Sequence, residues 1–256
     1  MIHEQAIIEP GAVIGNNVKI GPWCYIGKDV VIGDDCELMS HVVIKGPTKI
    51  GKRNRFFQFS SIGEECQDLK YKGEPTECII GDDNTFREGC TVHRGTIQDN
   101  SLTQIGSNNL FMAYTHVAHD CIVGNRCILA NNASIAGHVH VGDFAILGGM
   151  VGVHQFCQIG SHSFIAANSF VNKDVPPYVM ASGDAAKPFG LNSEGMKRRG
   201  FDKDAITAVK RAYRTLYRKG LNVEDALAEL SEASENFDEV KQFVEFVKHS
   251  NRGIIR

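Results

Sequence analysis

The sequence has no apolar run near the ~18–20 residues needed to cross a bilayer, so no segment reads as a membrane-spanning helix. It has no CxxC pair. Its 8 cysteines are scattered, which argues against a zinc ribbon or a disulfide framework. It has no basic excess either: 27 Lys and Arg face 30 Asp and Glu, and the net charge of −3 argues against a nucleic-acid partner. The opening Met1-Ile2-His3-Glu4-Gln5 lacks the charged and apolar regions of a secretory signal, so a cytoplasmic location is expected. What is present, 256 residues at 43% hydrophobic and 22% charged, suits a soluble globular protein of one large domain or two modest ones.

The dominant pattern is a period of six. Stepping from Ile2 lands on Ile8, Ile14, Ile20, Ile26, Ile32, Leu38, Ile44, Ile50, Phe56 and Ile62. The lattice resumes in phase at Ile80, Phe86 and Val92, then runs, shifted by one residue, at every sixth position from Ile105 to Val171. Six matches neither the 3.6 of an amphipathic helix nor the 2 of a half-buried strand. It suits a prism in which each hexad supplies a short strand and a corner, three hexads making an 18-residue coil, with strands about 4.8 Å apart. Glycine often follows the apolar position (Gly15, Gly21, Gly27, Gly33), as a tight corner would favour. A small residue sits four places after it, and six cysteines (24, 36, 90, 121, 127, 157) fall there as buried space-fillers. Cys66 and Cys78 are read as off the lattice and are expected to be exposed thiols.

The lattice breaks near 64–79 and 93–104, read as loops projecting from the prism, and loops on a rigid scaffold often carry function. It ends at Asp174-Val175-Pro176-Pro177-Tyr178. The division expected is a repeat domain over 1–186 and a helical domain over 187–256. In the latter Asp202 is the expected N-cap of a helix over 203–219, followed by helices over 223–234 and 236–249. Residues 187–219 carry ten basic against three acidic side chains, which suits either a solvated face or an anionic partner.

Five of the 10 histidines crowd the second lattice run: His116, His119, His138, His140 and His154. Residues 18 apart stack, so His119 is expected nearly below Gly137 and His138. Imidazole is the side chain best suited to exchange a proton near neutral pH, and Asp120 could hold the His119 ring in its working tautomer. Histidines grouped this way could equally hold zinc. His3, His41, His162 and His249 are read as surface histidines.

Gln67-Asp68-Leu69-Lys70-Tyr71, His116-Val117-Ala118-His119-Asp120, Asn131-Asn132-Ala133, Ala136-Gly137-His138, Val153-His154-Gln155-Phe156-Cys157 and Asn192-Ser193-Glu194-Gly195-Met196-Lys197-Arg198-Arg199-Gly200-Phe201 resemble the UDP-N-acetylglucosamine O-acyltransferases of lipid A biosynthesis. The resemblance covers essentially the whole chain. It implies a mainly β fold, a left-handed parallel β-helix with a C-terminal helical domain, assembled as a homotrimer with active sites between prisms. It implies transfer of a (3R)-3-hydroxyacyl group from acyl carrier protein to the glucosamine 3-hydroxyl of UDP-N-acetylglucosamine. No metal or cofactor is expected beyond the carrier's own phosphopantetheine.

By the same resemblance His119 is the general base, Asp120 orients it, and the Gly137 N–H stabilises the oxyanion. Asp68, Lys70, His116 and His138 are implied as sugar contacts, and Gln67 as a contact to the acyl hydroxyl. His154, Gln155 and Arg199 are implied at the diphosphate, Asn192, Glu194 and Arg198 at the uridine end. The small Ala167 occupies the position that sets acyl length, and the basic helical segment would attract the acidic carrier protein.

Three rivals stand beside this reading. A carbonic-anhydrase-like hexapeptide protein would hold zinc on histidines, but the spacing of His116 and His119 does not match that pattern. The related N-acyltransferases carry an extra N-terminal uridine-binding domain, whereas here hexads begin at Ile2. A non-catalytic trimeric scaffold leaves the histidine patch and both loops without purpose.

Overall fold

A computed structural model describes residues 1–256. The hexads wind into a left-handed β-helix of three faces, whose sheets contain 9, 8 and 10 strands. Except at the C-terminal end of the 10-stranded sheet, strands adjacent in a sheet are three apart in sequence, and the pairing is parallel and, but for a shift at Glu64, in register. His116 lies beside Ser134, and Ser134 beside Gly152, so a full coil takes 18 residues. Only the final pair, Val179–Ser182 with Lys187–Leu191, runs antiparallel.

The apolar lattice forms the axis of the prism. From Ile20 to Val171 every lattice position is buried. Ile2, Ile8 and Ile14 are not, because the first coil closes an open end of the prism with no coil beneath it. Phe56, Phe86 and Phe111 stack along the axis with centroids 4.9 and 4.6 Å apart and nearly parallel planes. Beside them Asn54, Asn84 and Asn109 occupy the inward small-residue position and link successive coils. The Asn84 N–H donates to the Asn54 side-chain oxygen, and the Asn109 N–H to that of Asn84. These buried amides cost little because their polar atoms are bonded.

The corners differ from the sequence expectation. The glycines that follow the apolar residue mostly have ordinary negative φ. The left-handed residue comes two places later and is usually not glycine: Asn17, Asp35, Arg53, Asn108, Asp120, Arg126, His138 and Phe156 all have φ between 56° and 65°. Each such corner costs roughly 1–2 kcal/mol in backbone strain. The geometry is held because the left-handed residue's N–H donates to the coil below, as His138 does to the His119 carbonyl at 3.0 Å and Phe156 to that of Gly137 at 3.1 Å. Glycine is needed one place after the apolar residue for a different reason, close approach. A Cβ on Gly33 would stand 2.7 Å from the backbone of Gly51.

The residue between these two keeps its N–H outside the ladder. On the corner that leads from the 8-stranded to the 10-stranded sheet, a side chain one coil up takes that N–H. Asn16 donates to Asp34, Lys52 to Asp82, Ser107 to Asn125 and Asn125 to Asp143, at 2.7–2.9 Å.

The chain leaves the ladder over residues 65–76 and 94–101. Cys66 and Cys78 are buried rather than exposed. Cys78 precedes Ile80 by two places, which is the inward small-residue position once the coil resumes. It pairs with Thr48 and Thr103, and burial pushes its thiol up to about 12. After Lys187–Leu191 come α1 (Ser193–Arg198), α2 (Lys203–Arg218), α3 (Val223–Glu229), α4 (Ser231–Asn236) and α5 (Asp238–Lys248). The single helix expected over 223–234 is two, broken at Leu230, whose N–H is shared between the carbonyls of Ala226 and Leu227. Asp202 stands at the N-cap of α2, but its side chain makes no capping bond. The face of α2 formed by Ile206, Val209, Ala212, Tyr213 and Leu216 is buried, as its spacing requires.

Two glycines test the corner account. Gly33→Ala, whose Cβ meets backbone, should lose about 1–3 kcal/mol, as overpacking does. Gly27→Ala, whose Cβ would find its nearest neighbour at 3.4 Å, should stay within about 1 kcal/mol of the parent in urea unfolding.

Candidate active site

The site is built on one edge of the 9-stranded sheet. Thr91, His116, Ser134, Gly152 and Phe170 stand in a row on its outer face, one per coil. The corners that follow three of these strands place His119, Gly137 and Gln155 above one another, 18 residues apart. Gln67 and Asp68 reach in from the first loop. Together with His93, His154 and Phe170 these residues line a cavity of ≈ 550 Å³.

At its wall His119 Nδ1 lies 2.8 Å from Asp120 Oδ2. The Asp120 side chain is fully buried, while that of His119 is 15% exposed. Burial raises the Asp120 carboxyl, but hydrogen bonds from His119 and from Thr96 outweigh it and hold the group below the usual carboxylate range. With Nδ1 engaged, Nε2 is the free nitrogen of His119. It lies against Gly137, where any Cβ would stand 2.5 Å from Nε2, so only glycine leaves room for the ring. The Gly137 N–H is the corner donor that the ladder leaves out, and no protein acceptor takes it. A proton acceptor and a free N–H therefore face the same space.

Residues 174–255 match the family described as Udp N-acetylglucosamine O-acyltransferase, Domain 2. Residues 102–137 match the bacterial transferase hexapeptide (six repeats), and 1–108 the GMPPB C-terminal domain. A curated protein from Stutzerimonas stutzeri, acyl-[acyl-carrier-protein]--UDP-N-acetylglucosamine O-acyltransferase, is 54% identical over 100% of this chain and 99% of its own length. The chain belongs to the UDP-N-acetylglucosamine O-acyltransferase family. The structure of LpxA from Acinetobacter baumannii superposes with a TM-score of 0.97 at 52% identity, covering 100% of this chain and 99% of that one. The UDP-N-acetylglucosamine O-acyltransferase of Moraxella catarrhalis does so at 0.98 and 49%, with the same coverage.

Within this member of the O-acyltransferase family the expected residues are not all in one place. Gln67, Asp68, His116, His119, Gly137, His154 and Gln155 line the cavity. Lys70 does not: its backbone N–H bonds the Asp68 carboxylate, and its side chain is exposed on the loop. The His138 ring stands at right angles to His119, 5.0 Å away, stacked on Phe156, with Nδ1 on Asp99 at 2.8 Å. Asn192 is the N-cap of α1 and donates to the His162 carbonyl. Glu194 pairs with Lys197 on the surface and Arg198 is exposed. The Arg199 guanidinium lies over the Phe144 ring, 4.9 Å from its centre. Ala167 is exposed at the corner after Phe164–Ile165. Asn192, Glu194, Arg198, Arg199 and Ala167 are thus separated from the cavity within the chain.

Two histidines depart from their sequence reading. His93, grouped with a loop, is a buried cavity residue packed edge-on against His116 at 5.0 Å. Its place directly after lattice residue Val92 was the available signal. His162 is no surface residue: it lies between Phe144 and Tyr178, packed edge-on by Phe201, with a buried Nδ1 that has no partner. Burial pushes His116 and His162 down to about 4 and lowers His93 and His140.

The fold thus favours the neutral form of these rings, most strongly at His116 and His162. Between about 6.5, where an unfolded histidine titrates, and about 4, the unfolded chain binds more protons than the folded one. Stability should therefore be full near pH 7 and fall steadily as the pH drops through that window. The thermal midpoint measured from pH 7.5 to 4.5 should show this slope, and His162→Phe should make it shallower.

Proposed function

We propose that the chain transfers a (3R)-3-hydroxyacyl group from acyl carrier protein to the glucosamine 3-hydroxyl of UDP-N-acetylglucosamine, the first step of lipid A biosynthesis, with His119 as general base. The observation that carries the reading is the pairing of the His119 Nε2 with the free Gly137 N–H across one cavity, with Asp120 behind the imidazole. His119 takes the proton of the sugar hydroxyl as its oxygen attacks the thioester carbonyl, a contribution of roughly 10²–10⁴-fold. The Asp120 carboxylate steadies the imidazolium. The carbonyl oxygen, now negative, accepts from Gly137, an interaction whose loss typically costs about 10²–10³ in rate. When the tetrahedral centre collapses, the C–S bond breaks and the phosphopantetheine thiolate recovers the proton from His119.

Gln67 is assigned to the acyl hydroxyl; Asp68, His116 and, on a shifted loop, Lys70 to the sugar, with His138 backing it. His154 and Gln155 are assigned to the diphosphate with Arg199, and Asn192, Glu194 and Arg198 to the uridine. The last four need a second copy of the chain to reach the cavity, which is the case for a homotrimer. The corner column of Trp23, Phe59, Tyr114 and Met150, each more than half exposed in one chain, supports such an assembly by offering apolar surface to cover. Lys203, Lys210, Arg211, Arg214 and Arg218 form an exposed face of α2 with no ion-pair partner, suited to an acidic carrier protein. We assign the protein to the cytoplasm and the reaction to the protein's own side chains and backbone, without a resident cofactor. His119, Asp120 and His138 do offer three ligand atoms within 4.8 Å of one another. The zinc alternative would have to break the bonds that Asp120 already makes to His119 and Thr96.

Purified protein given UDP-N-acetylglucosamine and a panel of 3-hydroxyacyl carrier proteins should yield the 3-O-acylated nucleotide by mass. His119→Ala should lose at least about 10²-fold. No product with any acyl length would contradict the assignment.

A further inference from the structure

Thr96 stands in the second loop, two residues after the chain leaves the ladder, and only 3% of it is exposed. Its backbone N–H donates to both Asp120 oxygens, at 2.9 and 3.0 Å, and its hydroxyl donates to Oδ2 at 2.7 Å. Oδ2 is the oxygen that also accepts from His119 Nδ1. The loop comes this close because residue 95 is glycine: a Cβ there would stand 2.8 Å from Asp120 Oδ1. Arg94, also buried, donates to the Gly63 carbonyl and to the Tyr71 hydroxyl, so the same stretch of chain fixes the base of the first loop.

We propose that Thr96 is a positioning residue for catalysis, its hydroxyl holding the Asp120 carboxylate so that Oδ2 faces His119. The proposal rests on His119 acting as general base. A carboxylate turns easily about its last torsion, which has no sharp staggered wells. Two donors from Thr96, one to the pair of oxygens and one to Oδ2 alone, leave a single orientation. The hydroxyl also shares the charge on Oδ2 with the imidazole. Without it, Oδ2 bonds His119 more strongly, and the protonated imidazole is favoured.

Other charged and titratable groups face the dyad. His138 Nε2 lies 3.9 Å from Oδ2 on the coil above, with Asp99 bound to its far side. His116 approaches from the strand of the same coil and His93 from the coil below, with Glu64 and Arg94 acting on His93. Asp68 faces the cavity from the first loop. None of them bonds the Thr96 hydroxyl, so removing it alters one contact.

Thr96→Val keeps the shape and removes the hydroxyl, whereas Thr96→Ser keeps the hydroxyl. Both are assayed with UDP-N-acetylglucosamine and a 3-hydroxyacyl carrier protein across pH, with the wild type and His119→Ala alongside. The valine variant should lose roughly 10–100-fold in kcat, as small misplacements of reacting groups do. Its KM for the nucleotide should stay within about twofold. The acid limb of its kcat/KM profile should move up by about half a pH unit or more. The serine variant should keep the wild-type limb and most of the rate. A valine variant with wild-type kcat and an unmoved limb overturns the proposal. So does a loss of rate with the limb unmoved, or an equal loss in both variants, either of which makes the role structural. Full activity in His119→Ala would instead remove the general-base reading beneath it.

Discussion

Everything in this molecule depends on the register of the coil. Parallel pairing at exact 18-residue offsets brings residues distant in sequence to within about one strand spacing of each other, roughly 4.8 Å. His119, Gly137 and Gln155 become one column by this arithmetic alone. The same ladder determines which backbone donors are free. At each corner one N–H is left out of the ladder, and on the corner between the 8-stranded and 10-stranded sheets Asp34, Asp82, Asn125 or Asp143 takes it up. At Gly137 no protein group does, and the donor left free there suits the oxyanion of the reaction we propose. The site is thus a corner of the repeat left unfinished, with a histidine and its carboxylate at the adjoining corner.

Charge is arranged with similar economy. Burial disfavours the charged form of His93, His116 and His162. The buried Asp120 carboxylate is held ionised by Thr96 and His119, which donate to it. A negative charge so well solvated by fixed donors can balance a positive charge that appears on an imidazole only during the reaction, which is what general-base catalysis needs.

Much of this was legible in the sequence. The six-residue lattice runs along the axis, and the apolar face of α2 follows from Ile206, Val209, Ala212, Tyr213 and Leu216. What escaped sequence reading did so for definite reasons. A period marks which side chains point inward but not which corner residue turns left-handed, so nothing in it marks Asp120 and His138 as strained positions or separates the close approach at glycine from a left-handed turn. The inward place of Cys78 is hidden in the sequence because an inserted loop obscures the phase of the coil that resumes after it. His162 looked like any isolated histidine, since its aromatic neighbours Phe144, Tyr178 and Phe201 come from separate coils and from the chain beyond the prism. Thr96 carries no spacing signal at all: its role exists only because a loop folds back over the corner. The residues that resemble a uridine site lie away from the cavity in a single chain, and no spacing in the sequence signals that separation.

The central claim is that one histidine and one backbone N–H, stacked by the coil, act on the two oxygens of one forming ester. A crystal structure of the protein with its 3-O-acylated nucleotide product tests it most directly. The account predicts the ester oxygen of the sugar within hydrogen-bond reach of His119 Nε2 and the acyl carbonyl oxygen on the Gly137 N–H, both at about 3 Å. A product bound with its ester remote from His119, or with the carbonyl turned away from Gly137, would contradict it.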